Sequence, residues 1–401
     1  MNTFTKKILV GVSALIFAYV TAGYVLGKSQ DSSAFRALTV YSEVMNYVQR
    51  DYVDAPNIKL VTNGSLHGLL DSLDPESSYL SPLEYTDYKD KTANKPKAEA
   101  GVAVTKRFGY IGIISVLPDS PAEKAGLHFG DILEKIAGFS TSQMAIEQAQ
   151  VLLSGEPGAV VKLSVIRRGK QEPQAMDITL AKLAPPRLVE DKLQGDIAYL
   201  RVPEFVAGES KQIREDLVQF NKQGAHKLIL DLRDCAIGDD SEGIATAQLF
   251  LSSGTITTLK GQTTATVVSS ADSSKVVWTQ PVSVLIGNST AGPAEILAAA
   301  IADNKRGDTI GDRTYGNASV QKLISLDDGS ALILTTATYY TPGNKEIPLE
   351  GVTPLDPVLP GPSNVADDAN YPPAPSSSAD DPDVKKAIEV LQGGAAARKA
   401  A

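Results

Sequence analysis

Cysteine and histidine are nearly missing from this sequence, and several kinds of chemistry go with them. The 401 residues hold one cysteine, Cys235, and three histidines, His67, His128 and His226, far apart. A single cysteine builds no internal disulfide framework and no cysteine-rich metal centre. The histidines have neither a metal-ligand spacing nor the look of a catalytic pair. No metal and no cofactor is expected. Positive charge is also short: 38 Lys and Arg stand against 47 Asp and Glu, a net charge of −9. No basic stripe follows the first few residues, which argues against a nucleic-acid partner. What remains is 43% hydrophobic and 21% charged, ordinary globular composition with length for two to three domains.

One long apolar run is present. Lys6 and Lys7 precede Ile8 to Leu26, and Lys28 closes it. Its length lies between a signal-peptide core and a spanning helix. Residues 1–30 are expected to be a signal anchor, with the lysine end in the cytoplasm. The body would then lie in the periplasm or outside, anchored to the inner membrane of a bacterial-type envelope. Secretion after cleavage near Val20-Thr21-Ala22 is the alternative.

The rest divides by pattern. Residues 31–97 read as a helical region. Phe35, Leu38, Tyr41, Val44, Met45 and Val48 recur at helical spacing, and a second helix is expected from Leu60 to Leu73. Residues 98–184 alternate short β-rich runs, Gly112 to Leu117 and Val160 to Arg167, with turns and one helix, Met144 to Leu153. Residues 185–358 alternate strands (Ile197 to Val202, Lys227 to Leu232, Val282 to Ile286) with helices (Lys211 to Phe220, Ile244 to Leu251, Pro293 to Ala302). That is an α/β domain. Residues 359–401, rich in Pro, Ser, Ala and Asp, are expected to be a disordered tail with one short helix, Asp383 to Gln392.

Two resemblances follow from motifs. Ser120-Pro121-Ala122-Glu123-Lys124-Ala125-Gly126-Leu127 with Phe129-Gly130-Asp131-Ile132-Leu133 closely resembles the PDZ domains of bacterial exported proteases. Gly101-Val102-Ala103-Val104 stands where such domains have the loop that captures a C-terminal carboxylate, while the peptide adds a strand to the sheet edge. The wider chain, from about Phe35 to Val358, resembles the C-terminal processing, or tail-specific, serine proteases. The motifs are Leu73-Asp74-Pro75 with Ser77-Ser78-Tyr79-Leu80, Leu230-Asp231-Leu232-Arg233, Ala294-Glu295 through Asp303, Gly311 through Thr314-Tyr315-Gly316 with Ser319-Val320-Gln321, and Tyr339-Tyr340-Thr341-Pro342-Gly343. The fold implied is a mixed α/β peptidase core with an inserted β-rich PDZ-like domain and an N-terminal helical region. The activity implied is that of a serine endopeptidase with a Ser-Lys dyad, gated by the PDZ domain.

The dyad itself is missing. The serine pattern reads Thr290-Ala291-Gly292-Pro293-Ala294-Glu295, with Gly292 at the nucleophile position. The lysine pattern reads Thr314-Tyr315-Gly316-Asn317-Ala318-Ser319, with Asn317 at the base position. Pro293 follows the nucleophile position and has no N–H for an oxyanion hole. After Asp231-Leu232-Arg233 the family's Asn-Asn-Pro-Gly-Gly is replaced by Asp234-Cys235-Ala236-Ile237-Gly238. Gly238 keeps an N–H, while Ile237 resists positive φ, so a changed loop is expected. Asp303 and Gln321 match positions that support the dyad in relatives and are read here as structural hydrogen-bonding groups. Three readings stay open: a pseudoprotease that binds polypeptide C-terminal tails or protein partners, alone or in a mixed oligomer; an active serine endopeptidase using a substitute such as Ser289; and a nucleophilic Cys235.

Overall fold

The computed structural model describes residues 32–358 and 377–397, apart from 95, 168, 171, 185–188, 194, 349 and 379. The expected anchor, Ile8 to Leu26, and the stretch 359–376 lie outside these residues. The expected inner-membrane anchorage is corrected here. Among the described residues no helix is long and apolar enough to cross a membrane.

The chain divides into two compact units, Met1–Ser65 and Leu66–Ala401. In the first, helix α1 (Ser32–Asp51) is followed by the start of α2 (Ile58–Asp71). Asn57 caps α2 by accepting the Leu60 amide at 3.1 Å. The Tyr41 hydroxyl and Ser65 Oγ lie 2.9 Å apart, tying the two helices.

The second unit opens with β1 (Ser78–Leu80) and α3 (Pro82–Ala93). The Asp74-Pro75 turn explains β1. Asp74 Oδ1 accepts the amides of Glu76 and Ser77 at 3.0 and 2.7 Å. Helix α3 starts on a Ser81 N-cap with proline at N1, and Glu84 Oε2 accepts the Ser81 amide at 2.7 Å.

A β-rich body follows: β2 (Ala98–Glu99), β3 (Val102–Arg107), β4 (Tyr110–Val116), α4 (Pro121–Lys124), β5 (Ile132–Ile136), β6 (Phe139–Ser140), α5 (Ile146–Leu152), β7 (Ser154–Gly155), β8 (Val160–Ile166) and β9 (Gln174–Thr179). Its main sheet runs β3-β4-β5-β8-β9, all antiparallel. Ile111, Ile113, Leu133, Ile136, Val165 and Ile178 fill its core. The Ser120-Pro121 motif is a helix start, with Ser120 Oγ accepting the Glu123 amide at 3.1 Å. Gly126 and Gly130 sit at φ +78° and +84°, where a side chain would be strained.

The α/β core comprises β10 (Val189–Lys192), β11 (Ile197–Arg201), α6 (Glu209–Lys222), β12 (Lys227–Asp231), α7 (Asp240–Ala247), β13 (Thr255–Lys260), β14 (Val267–Ser270), β15 (Val282–Ile286), α8 (Pro293–Asp303), β16 (Asp308–Gly311), β17 (Ser319–Ser325), β18 (Ala331–Tyr340), β19 (Asp356–Pro357) and α9 (Pro382–Ala397). One sheet runs β10-β11-β12-β15-β16-β19, parallel except for the first pair. Its central strands are continuous apolar runs because both faces are covered. Ala198, Leu200, Leu228, Leu230 and Val284 share a core with residues of α6 and α8. Ile197, Tyr199, Ile229 and Leu285 share another with Val384, Ala387, Ile388 and Leu391 of α9. Helix α9 is therefore a docked layer rather than part of a disordered tail. Arg233 holds its start, reaching Asp381 and Asp383 at 2.9 Å. Helix α7 begins four residues before the expected Ile244 and stops at Ala247. The second sheet, β1-β18-β13-β14 with β17 on β18, was not foreseen. Two of its strands are far apart in sequence, with Ser78 facing Ile333.

Candidate functional site

The C-terminal ends of β12 and β15 open into two turns that meet the start of α8. Crevices at this end of a parallel sheet are where ligands bind in α/β folds. The turn Gly287–Ala291 is stitched to the neighbouring strand end. Thr290 Oγ1 donates to Leu232 O at 2.9 Å, and the Ala291 amide donates to Cys235 O at 2.9 Å. Gly292 ends the turn at φ +57°, ψ −120° and caps α8. That backbone state strains any residue with a Cβ. The space around it is nonetheless open. A Cβ on Gly292 would meet only Asn317 O, at 3.4 Å.

The two positions singled out by sequence, 25 residues apart, are thus neighbours. Their meeting is made by Glu295, which is fully buried. Its Oε2 accepts the amides of Gly292 and Asn317 at 3.0 and 2.7 Å. Its Oε1 accepts the Gly316 amide at 2.7 Å and the Thr314 hydroxyl. Burial pushes the Glu295 carboxyl up to about 7, and these four donors hold it back from going further. The role of Glu295 was missed from sequence. The signal was there: an acidic residue three past a helix cap reaches back to the cap amide. Pro293 sits at N1, and Gly243 of α7 packs on its backbone so closely that a Cβ there would lie 2.4 Å from Pro293 O.

The other named residues fall elsewhere. Asp303 ends α8, eleven residues and about 16 Å along the helix from Gly292. There it accepts the Gly343 amide at 2.8 Å. Exposed Gln321 donates to Ser319 Oγ at 2.8 Å within the β17–β18 hairpin. Gly238 lies at φ +138°, and a Cβ on it would stand 2.4 Å from Phe205 O. Only glycine fits that approach. Ile237 is not in the left-handed region. Asp234, at φ +62°, takes the strained position in that loop. Ser289 is buried and faces the Asp234 carboxyl, which pairs with Arg201 at 3.5 Å. Cys235 is fully buried, and burial raises its thiol well above the usual range, which opposes a thiolate. Among the described residues no group of His, Cys, Asp or Glu could hold a metal ion.

In the β-rich body, β3 is an edge strand of the main sheet, paired with β4 alone. Gly101 precedes it at φ +81°, where a Cβ would stand 2.4 Å from Ser120 Cβ. Its carbonyl accepts the Leu117 amide at 3.0 Å. Val102 and Ala103 are half-buried and Val104 is buried. Helix α5 packs against β3.

Comparison with known proteins agrees with this architecture. Residues 196–356 match the model of peptidase family S41, and residues 112–167 match a PDZ domain. A carboxy-terminal-processing protease of Bartonella bacilliformis is 30% identical over 332 residues, 81% of this chain and 76% of that protein. A carboxy-terminal processing protease of Bacillus subtilis is 28% identical over 346 residues, 85% of this chain and 73% of its own length. A solved photosystem II D1 C-terminal processing protease superposes with a TM-score of 0.66 at 24% identity, over 80% of this chain and 92% of that one, a likeness of fold. With its PDZ domain, its mixed α/β core and these relatives, the chain belongs to peptidase family S41, alongside the carboxy-terminal processing proteases.

Proposed function

We propose that this chain binds polypeptide C-terminal tails through its PDZ domain and does not cut them. One observation carries the reading: Gly292 and Asn317 meet where the family's resemblance requires a serine and a lysine. Glycine offers no nucleophile, and an asparagine amide takes no proton near neutral pH. Pro293 removes a third element, since it has no N–H to stabilise an oxyanion. The fold around the site is kept, with the strained turn at Gly292 and the Glu295 clamp both in place.

A substitute nucleophile is poorly supported. Ser289 is the nearest candidate, but its hydroxyl is buried against Asp234. Displacing a nucleophile by about 1 Å already costs on the order of a hundredfold. Ser289 is three residues from Gly292.

The test is a cleavage assay on casein and on a tailed substrate. The natural protein is expected to be silent, and a Gly292→Ser/Pro293→Ser/Asn317→Lys variant shows whether the scaffold still supports the chemistry. Cleavage by the natural protein that disappears in Ser289→Ala would overturn the reading. Binding is tested separately with peptides ending in apolar residues. An amidated C-terminus is expected to weaken their binding, and equal binding of the amidated form would refute capture of a carboxylate at Gly101 to Val104.

A further inference from the structure

The PDZ domain is joined to the core through both β3 and α5. On the β3 side, buried Lys106 pairs with Asp71 and donates to Ser77 O at 3.2 Å. Thr105 Oγ1 donates to Glu76 Oε1 at 3.5 Å, and Thr105 faces the Tyr315 hydroxyl. On the α5 side, Glu147 faces Ser78 of β1, short of hydrogen-bond geometry, and Glu147 Oε2 and Ser78 Oγ are buried without partners. Ala145, just before α5, packs with Leu80, Tyr85, Ala331 and Ile333 of the core. Lys91 of α3 donates to the carbonyl of Ser154 at 2.8 Å and to that of Val151, closing the end of α5. The turn Asp74–Ser78 therefore lies between β3 and α5.

A peptide held by its carboxylate at Gly101 would run antiparallel to β3, towards Arg107. At about 3.4 Å per residue its fourth or fifth residue from the end would reach Thr105 and Lys106. The turn already stands there. We propose that Asp74–Ser78 is a latch across the far end of the β3 edge where a tail peptide would add, released when the carboxyl groups at its contact with the PDZ domain, Glu76 and Glu147, ionise. This rests on the tail-binding reading.

The charges around the turn are unbalanced. Asp71, Asp74, Glu76 and Glu147 surround one buried cation, Lys106, which is already paired with Asp71. Arg107 lies within electrostatic reach of Tyr315, as Glu76 does. Burial pushes Glu76 up to about 7, and neighbouring Asp74 adds to this. Its own backbone amide, Thr105 and Lys106 oppose it. Burial raises Glu147 as well. Once the latch opens, both carboxyls enter water and return to the ordinary range. The closed form thus takes up protons. It is favoured fully below the open-state value near 4.5 and loses ground as pH rises through about 7. For Glu76 alone the closed-to-open ratio falls on the order of a hundredfold across that window. Tyr315, two residues before Asn317 in the loop of the site, lies within electrostatic reach of Glu76.

The experiment is pulsed dipolar EPR on the chain carrying spin labels at Lys162→Cys and Lys322→Cys, both exposed, with Cys235 buried. One distance population is expected at pH 5 and a second, longer one at pH 8. Glu76→Gln, permanently neutral, is expected to keep the short population at pH 8, and Glu147→Gln to shift the transition the same way. Glu156→Gln, an exposed acid paired with Lys97, is expected to behave as the parent. Unchanged distances in the parent, or full opening of both neutral variants at pH 8, would refute the latch. Binding of a fluorescent ten-residue tail peptide at both pH values separates the two readings. A distance change without peptide binding leaves the latch and removes tail capture. Equal binding at both pH values with fixed distances does the reverse.

Discussion

Removing the Glu295 carboxyl tests how the site is held. Four donors converge on it: the amides of Gly292, Gly316 and Asn317 and the Thr314 hydroxyl. In Glu295→Ala the two buried donors, at Gly292 and Thr314, each cost about 1–3 kcal/mol. The two half-buried amides can be reached by water and cost about 0.5–1.5 kcal/mol each. Relief from burying the carboxyl offsets part of this, and a net loss of about 4 kcal/mol is expected. Glu295→Gln keeps the volume but turns an NH₂ towards two donors, so about 2 kcal/mol is expected. The two variants also differ from the parent in pH dependence. Glu295 rises to about 7 in the fold from a starting value of 4.5. Native protein therefore holds an extra proton between those values, and its stability falls as pH rises through about 7. Glu295→Gln should flatten that slope. The assay is urea unfolding at pH 5 and pH 8 followed by fluorescence of Trp278, the one tryptophan, which is fully buried in the core that α8 joins. A loss under about 1 kcal/mol in Glu295→Ala would refute the clamp.

Two other perturbations follow from the same packing. Gly292→Ala should cost only about 1–2 kcal/mol, the strain of a Cβ at φ +57° with open space around it, whereas Gly243→Ala, facing Pro293 O at 2.4 Å, should cost about 3 kcal/mol or more. Equal losses in the same unfolding assay would show that α7 and α8 separate freely. Asp381→Ala together with Asp383→Ala removes both carboxylates through which Arg233 holds the start of α9 and should release that helix. Faster hydrogen exchange across 382–393 with β11 and β12 still protected is the expected result, and unchanged exchange in α9 would mean that its apolar face suffices.

Local chemistry determined much of this protein from sequence. Pro293 after Gly292, Ser120 before Pro121 and the apolar runs at Ile197, Lys227 and Val282 each specify their own element, because caps and periodicity act within a few residues. Substitution at Gly292 and Asn317 was legible for the same reason, since the presence of a nucleophile or base is a property of one side chain. Tertiary structure alone decided which distant segments meet. Nothing near Glu295 in sequence announces Thr314 or Gly316, and nothing in residues 74–78 announces β3 and α5. The second sheet, with Ser78 beside Ile333, and the docking of α9 on Tyr199 and Leu285 belong to the same class. Such contacts depend on what the folded backbone brings within reach, and a buried carboxyl finds its donors only after the chain has closed around it.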